Sequence, residues 1–241
     1  MSDFIVLWPY CQLTPQQPAA NLVPFTRSGG RSLGGLEPRT RTDRGYWVID
    51  YQNIPVLISH RDQWKTWHAI RQMLGGSAGL IAVRAPTSPS APYASGRFEP
   101  VERIPHSDGA GFSDGTKHRQ RAISIKSVDV TPISATTIRL RIINAEPNLV
   151  GVKFSYKHAL YETGPVIRID GDVWTVPISP AVRAEIPDGV DLEFDQPTCL
   201  CRLADDRGMD IGHDVLKKSS YPSVSFVEAV DYWSDLAAGL I

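Results

Sequence analysis

Apolar residues in this chain come in short bursts separated by turn-forming ones, and one stretch alone has the period of a helix. From Arg61 to Leu74, at 100° per residue, Trp64, Trp67, Ile70 and Leu74 fall within one arc. Lys65, His68 and Gln72 lie opposite, and Gly75-Gly76 ends the run. Two tryptophans on one helical face call for a wide apolar surface, which a β-sheet offers. The other bursts read as strands. Phe4–Tyr10 is apolar and aromatic. Gly45–Tyr51 and Ile54–Ser59, joined by Gln52-Asn53, read as a hairpin, and Leu80–Arg84 follows the helix. Ala122–Val130 alternates at first, and Val128 and Val130 suggest a bulge or register change. Thr137–Ile143 sets Ile138, Leu140 and Ile142 against Arg139 and Arg141, a strand with a basic outer face. Five short strands then follow: Val150–Tyr156, Val166–Asp170, Val173–Ile178, Val190–Phe194 and Cys199–Leu203. Asp170-Gly171 marks a hairpin turn, and the series reads as a small barrel or roll. Ser223–Val230 alternates again, and Tyr232–Leu240 fits a short terminal helix.

Between these elements lie stretches of another kind. Residues 12–24, with Pro15, Pro18 and Pro24, read as an extended linker or arm. The stretch 27–44 holds Arg27, Arg31, Arg39, Arg41 and Arg44 among glycines and reads as a long loop. Such a loop is uncommon in a compact domain unless it touches something. Residues 86–120 are rich in Pro, Ser and Gly. The expected architecture is mainly β: a β-sandwich with the packed helix 61–74 over residues 1–145, a small β-barrel module over 146–204, and a C-terminal strand and helix over 205–241 packing back on the first domain.

Composition narrows the function classes. No apolar run approaches the ~18 residues of a membrane span, and the first residues lack the basic start of a signal peptide. Three cysteines make no disulfide scaffold, which fits assembly in a reducing cytoplasm. Lys and Arg number 25 against 26 Asp and Glu, so net charge offers nothing specific to nucleic acid. The charge is divided along the chain: residues 1–150 carry 17 basic and 11 acidic groups, residues 151–241 carry 8 and 15. Copies packed head-to-tail would bring the basic part of one against the acidic part of the next.

Candidate chemistry is thin. Gly30-Arg-Ser-Leu-Gly-Gly35 lacks the Gly-Lys-Ser/Thr of a phosphate loop and precedes a strand instead of opening a helix. Cys199 and Cys201 share one face of a strand without a second ligand pair; Cys11 and His213 are distant, and buried small hydrophobes is the favoured account. His106, Asp108, Asp114 and His118 could hold a divalent ion, but the two Ser-Asp-Gly sequences among them already explain themselves as turns. Asp205, Asp206, Asp210 and Asp214 miss the spacing of a calcium loop. Neither Gly-x-Ser-x-Gly nor His-Glu-x-x-His occurs, and Cys11 sits in an apolar aromatic strand. The expectation is a protein without catalytic residues, cofactor or metal. The five arginines of 27–44 remain as a candidate subunit interface, pairing in bidentate fashion with a neighbour's carboxylates; the alternative is a solvated loop.

Two sets of residues carry a resemblance. The first is Gly29-Gly-Arg-Ser-Leu-Gly-Gly35, Gly45-Tyr-Trp-Val-Ile49, Ile54-Pro-Val56, the helix with Trp64 and Trp67, and Gly76 with Ile81-Ala-Val83. It resembles the N-terminal part of tail proteins of long-tailed bacteriophages (siphophages) and gene transfer agents. The second is Gly151-Val-Lys-Phe-Ser155, Gly171-Asp-Val-Trp-Thr-Val176, Ile178-Ser-Pro-Ala-Val-Arg183, Leu192-Glu-Phe-Asp-Gln-Pro197 and Cys201-Arg-Leu-Ala204. It is similar to the β module such proteins carry near the distal end of the tail. The resemblance spans about half the chain and does not extend to residues 205–241. It implies a tail-tube-like β-sandwich and a distal tail or baseplate protein of the virion, forming a ring, typically a hexamer, that joins the tail tube protein to the hub or receptor-binding parts. Residues 12–44 would then be an interlocking arm that orders on assembly. The alternative is a tail-associated carbohydrate-binding module that presents Tyr156, Tyr161 or Trp174 to a cell-surface glycan.

Overall fold

The computed structural model describes residues 5–87, 90–100, 102–104, 118–120, 122–212 and 219–240, with backbone alone at 41, 102–104 and 118–120. In chain order the described elements begin with β1 (Val6–Leu7), β2 (Gln17–Ser28), β3 (Arg39–Gln52), β4 (Val56–Leu57), α1 (Arg61–Leu74) and β5 (Ile81–Arg84). They continue with β6 (Glu102–Ile104), β7 (His118–Gln120), β8 (Ser124–Val128), β9 (Thr137–Asn144), β10 (Lys153–Tyr156) and β11 (Ala159–Thr163). The last are β12 (Arg168–Asp170), β13 (Val173–Ser179), β14 (Thr198–Leu203), β15 (Ser219–Ser220), β16 (Val224–Glu228) and α2 (Val230–Ala237). The protein is mainly β, and neither described helix is long and apolar enough to cross a membrane.

Two sheets carry the molecule. The first runs β1-β5-β14-β16-β3-β2, antiparallel except for β1 against β5. The second runs β10-β11-β13-β9-β8, with β12 on the side of β13. Residues 186–193 bridge both rims of the second sheet: Lys126 faces Asp191 at β8 and Ser155 faces Glu193 at β10. The sheet therefore curls into a barrel-like module around Ile125, Leu140, Phe154, Tyr161, Val176 and Phe194. On the first sheet, the predicted stripe of α1 meets the inner face of β3 and β16. Trp67, Ile70 and Leu74 pack with Trp8, Trp47, Tyr51 and Phe226. Burying side chains of this size contributes about 1.5–3 kcal/mol each. Gly75 closes the helix at φ 55, a left-handed position that favours glycine.

The two cores meet at β11 and β14. Because side chains alternate along a strand, β14 sends Cys199, Cys201 and Leu203 to the helix-side core and Leu200 to the barrel core. β11 sends Leu160 to the former and Ala159 and Tyr161 to the latter. Cys199–Leu203 is thus a central strand of the first sheet and not a member of the barrel. The expected boundary at 145 falls between β9 and β13, which pair with each other. That at 204 follows a strand paired with β5 and β16.

Three other expectations are corrected. Residues 12–24 are not a linker, since β2 begins at Gln17 and pairs with β3. Its prolines are tolerated because β2 is an edge strand and Pro24 lies at a register shift. Residues 45–51 and 54–59 form no hairpin: β16 takes the inner side of β3, and β4 turns away to pair with β15. The bulge expected near Val128 lies at Ser124/Ile125.

Candidate functional site

The glycine-arginine stretch is a hairpin arm. β2 and β3 are paired from Gln17↔Gln52 to Val23↔Tyr46, and after the shift at Pro24 from Phe25↔Thr42 to Ser28↔Arg39. The inner side of β3 is held by β16 only from Val48 to Tyr51. Beyond that, the ribbon has no further strand beside it among the described residues. The tip is closed locally: the Gly29 N–H donates to Pro38 O at 2.9 Å and the Ser32 N–H to Leu36 O at 2.8 Å, while the Ser28 hydroxyl donates to Glu37. Phe25, Leu33 and Leu36 are exposed on it. A two-stranded ribbon alone is marginally stable in water, and exposed apolar side chains along one invite a covering surface.

The structure spreads the five arginines along this arm. Arg27 stands opposite Thr40 and Arg41 opposite Thr26; Arg39 stands opposite Ser28, and Arg31 lies in the tip. Arg39 makes an exposed contact of 3.5 Å with Glu37, a pair of little energetic consequence. Arg44 is set apart at the base, lining a cleft with Trp233 of α2.

The base of the arm is fixed to the barrel by a buried polar seam. Gly45 leaves no room for a side chain, as a Cβ there would lie 2.8 Å from the Val23 carbonyl oxygen. Its own carbonyl accepts from Arg183, whose guanidinium also grips Glu228 at 2.9 and 3.2 Å. The same carboxylate accepts the Trp47 N–H at 3.1 Å, and the Arg183 N–H donates to the Tyr161 hydroxyl at 3.0 Å. Burial pushes the Glu228 carboxyl above its ordinary value, more than Arg183 and the Trp47 N–H draw it down. Tyr161 is likewise pushed up to about 12 by burial. The Trp47 indole donates to Leu160 O at 2.8 Å, and the Lys153 ammonium donates to Ala20 O at 3.0 Å. The base of the arm is therefore tied to the barrel by a buried ion pair and its hydrogen bonds.

Cys199 and Cys201 are buried, and burial pushes the Cys199 thiol up, the wrong direction for a nucleophile. Cys11 is exposed in a turn after β1, not within an apolar strand. Asp206 accepts from Ser77, and Asp210 from Arg71 and Arg207. Asp205 accepts the Arg207 N–H. His106, Asp108, Asp114, His213, Asp214 and the side chain of His118 lie outside the described residues. Among the described residues no group of three His, Cys, Asp or Glu could hold a metal ion. A cleft of about 560 Å³ is lined by Tyr10, Arg84, Tyr93 and Phe98. There Arg84 lies over the Tyr10 ring and the Tyr93 hydroxyl donates to Asp195. Tyr161, offered as a glycan platform, is fully buried against Phe154; Tyr156 and Trp174 are half-buried. The cleft at Arg44 and Trp233 was not legible in the sequence, because its walls come from four separate segments. A search against protein-family models found no match, and neither did a comparison with curated proteins. The resemblance to tail proteins thus rests on this chain's own residues.

Proposed function

We propose that the protein is a structural component of a phage tail. Copies form a ring at the distal tail or baseplate and join the tail tube to the hub or receptor-binding apparatus. The observation that carries this reading is the arm, an arginine-rich ribbon with exposed Phe25, Leu33 and Leu36, held at its root by the Arg183–Glu228 seam. Such a ribbon gains stability by laying its backbone and apolar groups against a neighbour's surface. The acidic balance of residues 151–241 supplies a complement for its arginines. The function asked of this chain is then adhesion in a fixed geometry, without a substrate.

The test is the mass of the particle. Purified protein should give a closed ring by light scattering and negative-stain imaging. A variant with residues 25–42 replaced by a short glycine-serine turn should remain folded by circular dichroism and run as a monomer. Rings of unchanged order from that variant would refute the role given to the arm.

A further inference from the structure

The cleft of about 560 Å³ that is lined by the end of β5, the turn after β1 and residues 86–98 has the size of a small-molecule site, which runs from about 300 to 1,000 Å³. Arg84 ends β5, where it pairs with Thr198, and the Tyr51 hydroxyl donates to its carbonyl at 2.5 Å. Its guanidinium lies over the Tyr10 ring, 5.1 Å from the centroid. No carboxylate is paired with that guanidinium among the described residues. Tyr93 is buried, its hydroxyl donating to Asp195. The turn after it is closed by the Gly96 N–H donating to Tyr93 O at 2.9 Å, with Gly96 at φ 69, and sets out Arg97 and Phe98. Phe98 meets Tyr93 edge to face, with centroids 5.6 Å apart, and is 71% exposed. Arg97 is exposed and is likewise paired with no carboxylate among the described residues. The acidic groups whose charge reaches Tyr93 are engaged, Asp195 by the Tyr93 hydroxyl and Glu99 by the Ser95 N–H at 2.8 Å.

We propose that this cleft binds an acidic saccharide. The Arg84 guanidinium would take the sugar's carboxylate in bidentate fashion, with the exposed Arg97 adding attraction. The apolar C–H face of the sugar ring would lie on Phe98, whose electron-rich face attracts polarised C–H groups. A planar base is disfavoured, because Tyr93 and Phe98 stand at 77° to each other and cannot sandwich one between them. The site stands on its own geometry and does not depend on the ring assembly proposed above.

The test is calorimetry on the full chain at low salt, with trigalacturonate, a hyaluronan tetrasaccharide and sialyllactose as acidic probes, and maltotriose and adenosine monophosphate as controls. At least one acidic saccharide should bind, and maltotriose should bind about tenfold more weakly or not at all. Arg84→Gln and Phe98→Ala should each weaken the acidic saccharide about tenfold, and Arg97→Gln about threefold with a flatter salt dependence. Circular dichroism checks folding. Should Arg84→Gln fail to fold, Phe98→Ala and Arg97→Gln decide, since both change exposed side chains. Failure of all three acidic probes to bind would overturn the proposal, as would equal binding of maltotriose or tighter binding of adenosine monophosphate. Binding that is unchanged in Phe98→Ala and Arg97→Gln would place the saccharide elsewhere and overturn it too.

Discussion

Glu228 sits where the arm's root, the barrel and the last strand of the first sheet converge, and its carboxylate answers three donors at once. Removing it leaves the Arg183 guanidinium, with 9% of its side chain exposed, without its counter-charge, and the Trp47 N–H without an acceptor. Breaking a buried pair from one side costs about 3–5 kcal/mol, so Glu228→Ala should lower stability by that amount in urea titrations. A loss under about 1 kcal/mol would show that the seam is a passive contact. The same residue shapes the response to pH. Its carboxyl is raised by burial, so the folded state takes up this proton first, and acidification from neutrality towards the ordinary glutamate value (~4.3) removes a desolvation cost. Asp206 and Asp210 behave in the opposite sense. The hydrogen bonds from Ser77, and from Arg207 with Arg71 beyond it, hold their carboxyls below the ordinary value. What they contribute is fully present above about pH 4 and is lost as pH falls through their depressed values. Thermal melts should stay level or rise slightly from pH 7 to about 5 and decline below about 4.

At the level of single elements, legibility followed the strength of the local signal. Helix α1 spans the predicted residues because its stripe, its exposed face and the Gly75 cap agree. β11 escaped notice. Its turn is made by Lys157 and His158, at φ 48 and 70, two residues that announce no hairpin, and its segment is buried on both sides and does not alternate. The left-handed conformation at Lys157 disfavours a residue with a Cβ. Lys157→Gly should raise stability by about 0.5–1 kcal/mol in chemical denaturation; a loss would show that the Lys157 contact with the Tyr156 ring outweighs the relief. The arm was legible as a feature, in its arginines and glycines, but not as a hairpin. Its second strand is polar at every position from Arg39 to Arg44 and so writes no alternation, and the pairing of Phe25 with Thr42 follows from chain geometry that the sequence pattern does not record. Trp233 and Arg44, 189 positions apart, meet only after both sheets and α2 are in place.

For the molecule as a whole, the two sheets are interleaved along the chain. β14 lies in the first sheet while β13, the strand before it, lies in the second, and each core draws on both. A fragment cut at 146 and 204 would part β13 from β9 and β14 from β5. It should fail to give a folded spectrum, and a fragment that folded would mark an independent domain. Charge acts at the same scale. Replacing Arg31, Arg39 and Arg41 with glutamate should weaken association and flatten its dependence on salt in sedimentation, since steering between opposite surfaces is screened within about 10 Å at 0.1 M salt. β3 runs unbroken from Arg39 in the arm to Gln52 in the body, flanked near its end by β2 and β16. A pull on the arm along its length would pass through the register shift at Pro24 and load those inner rungs together in shear.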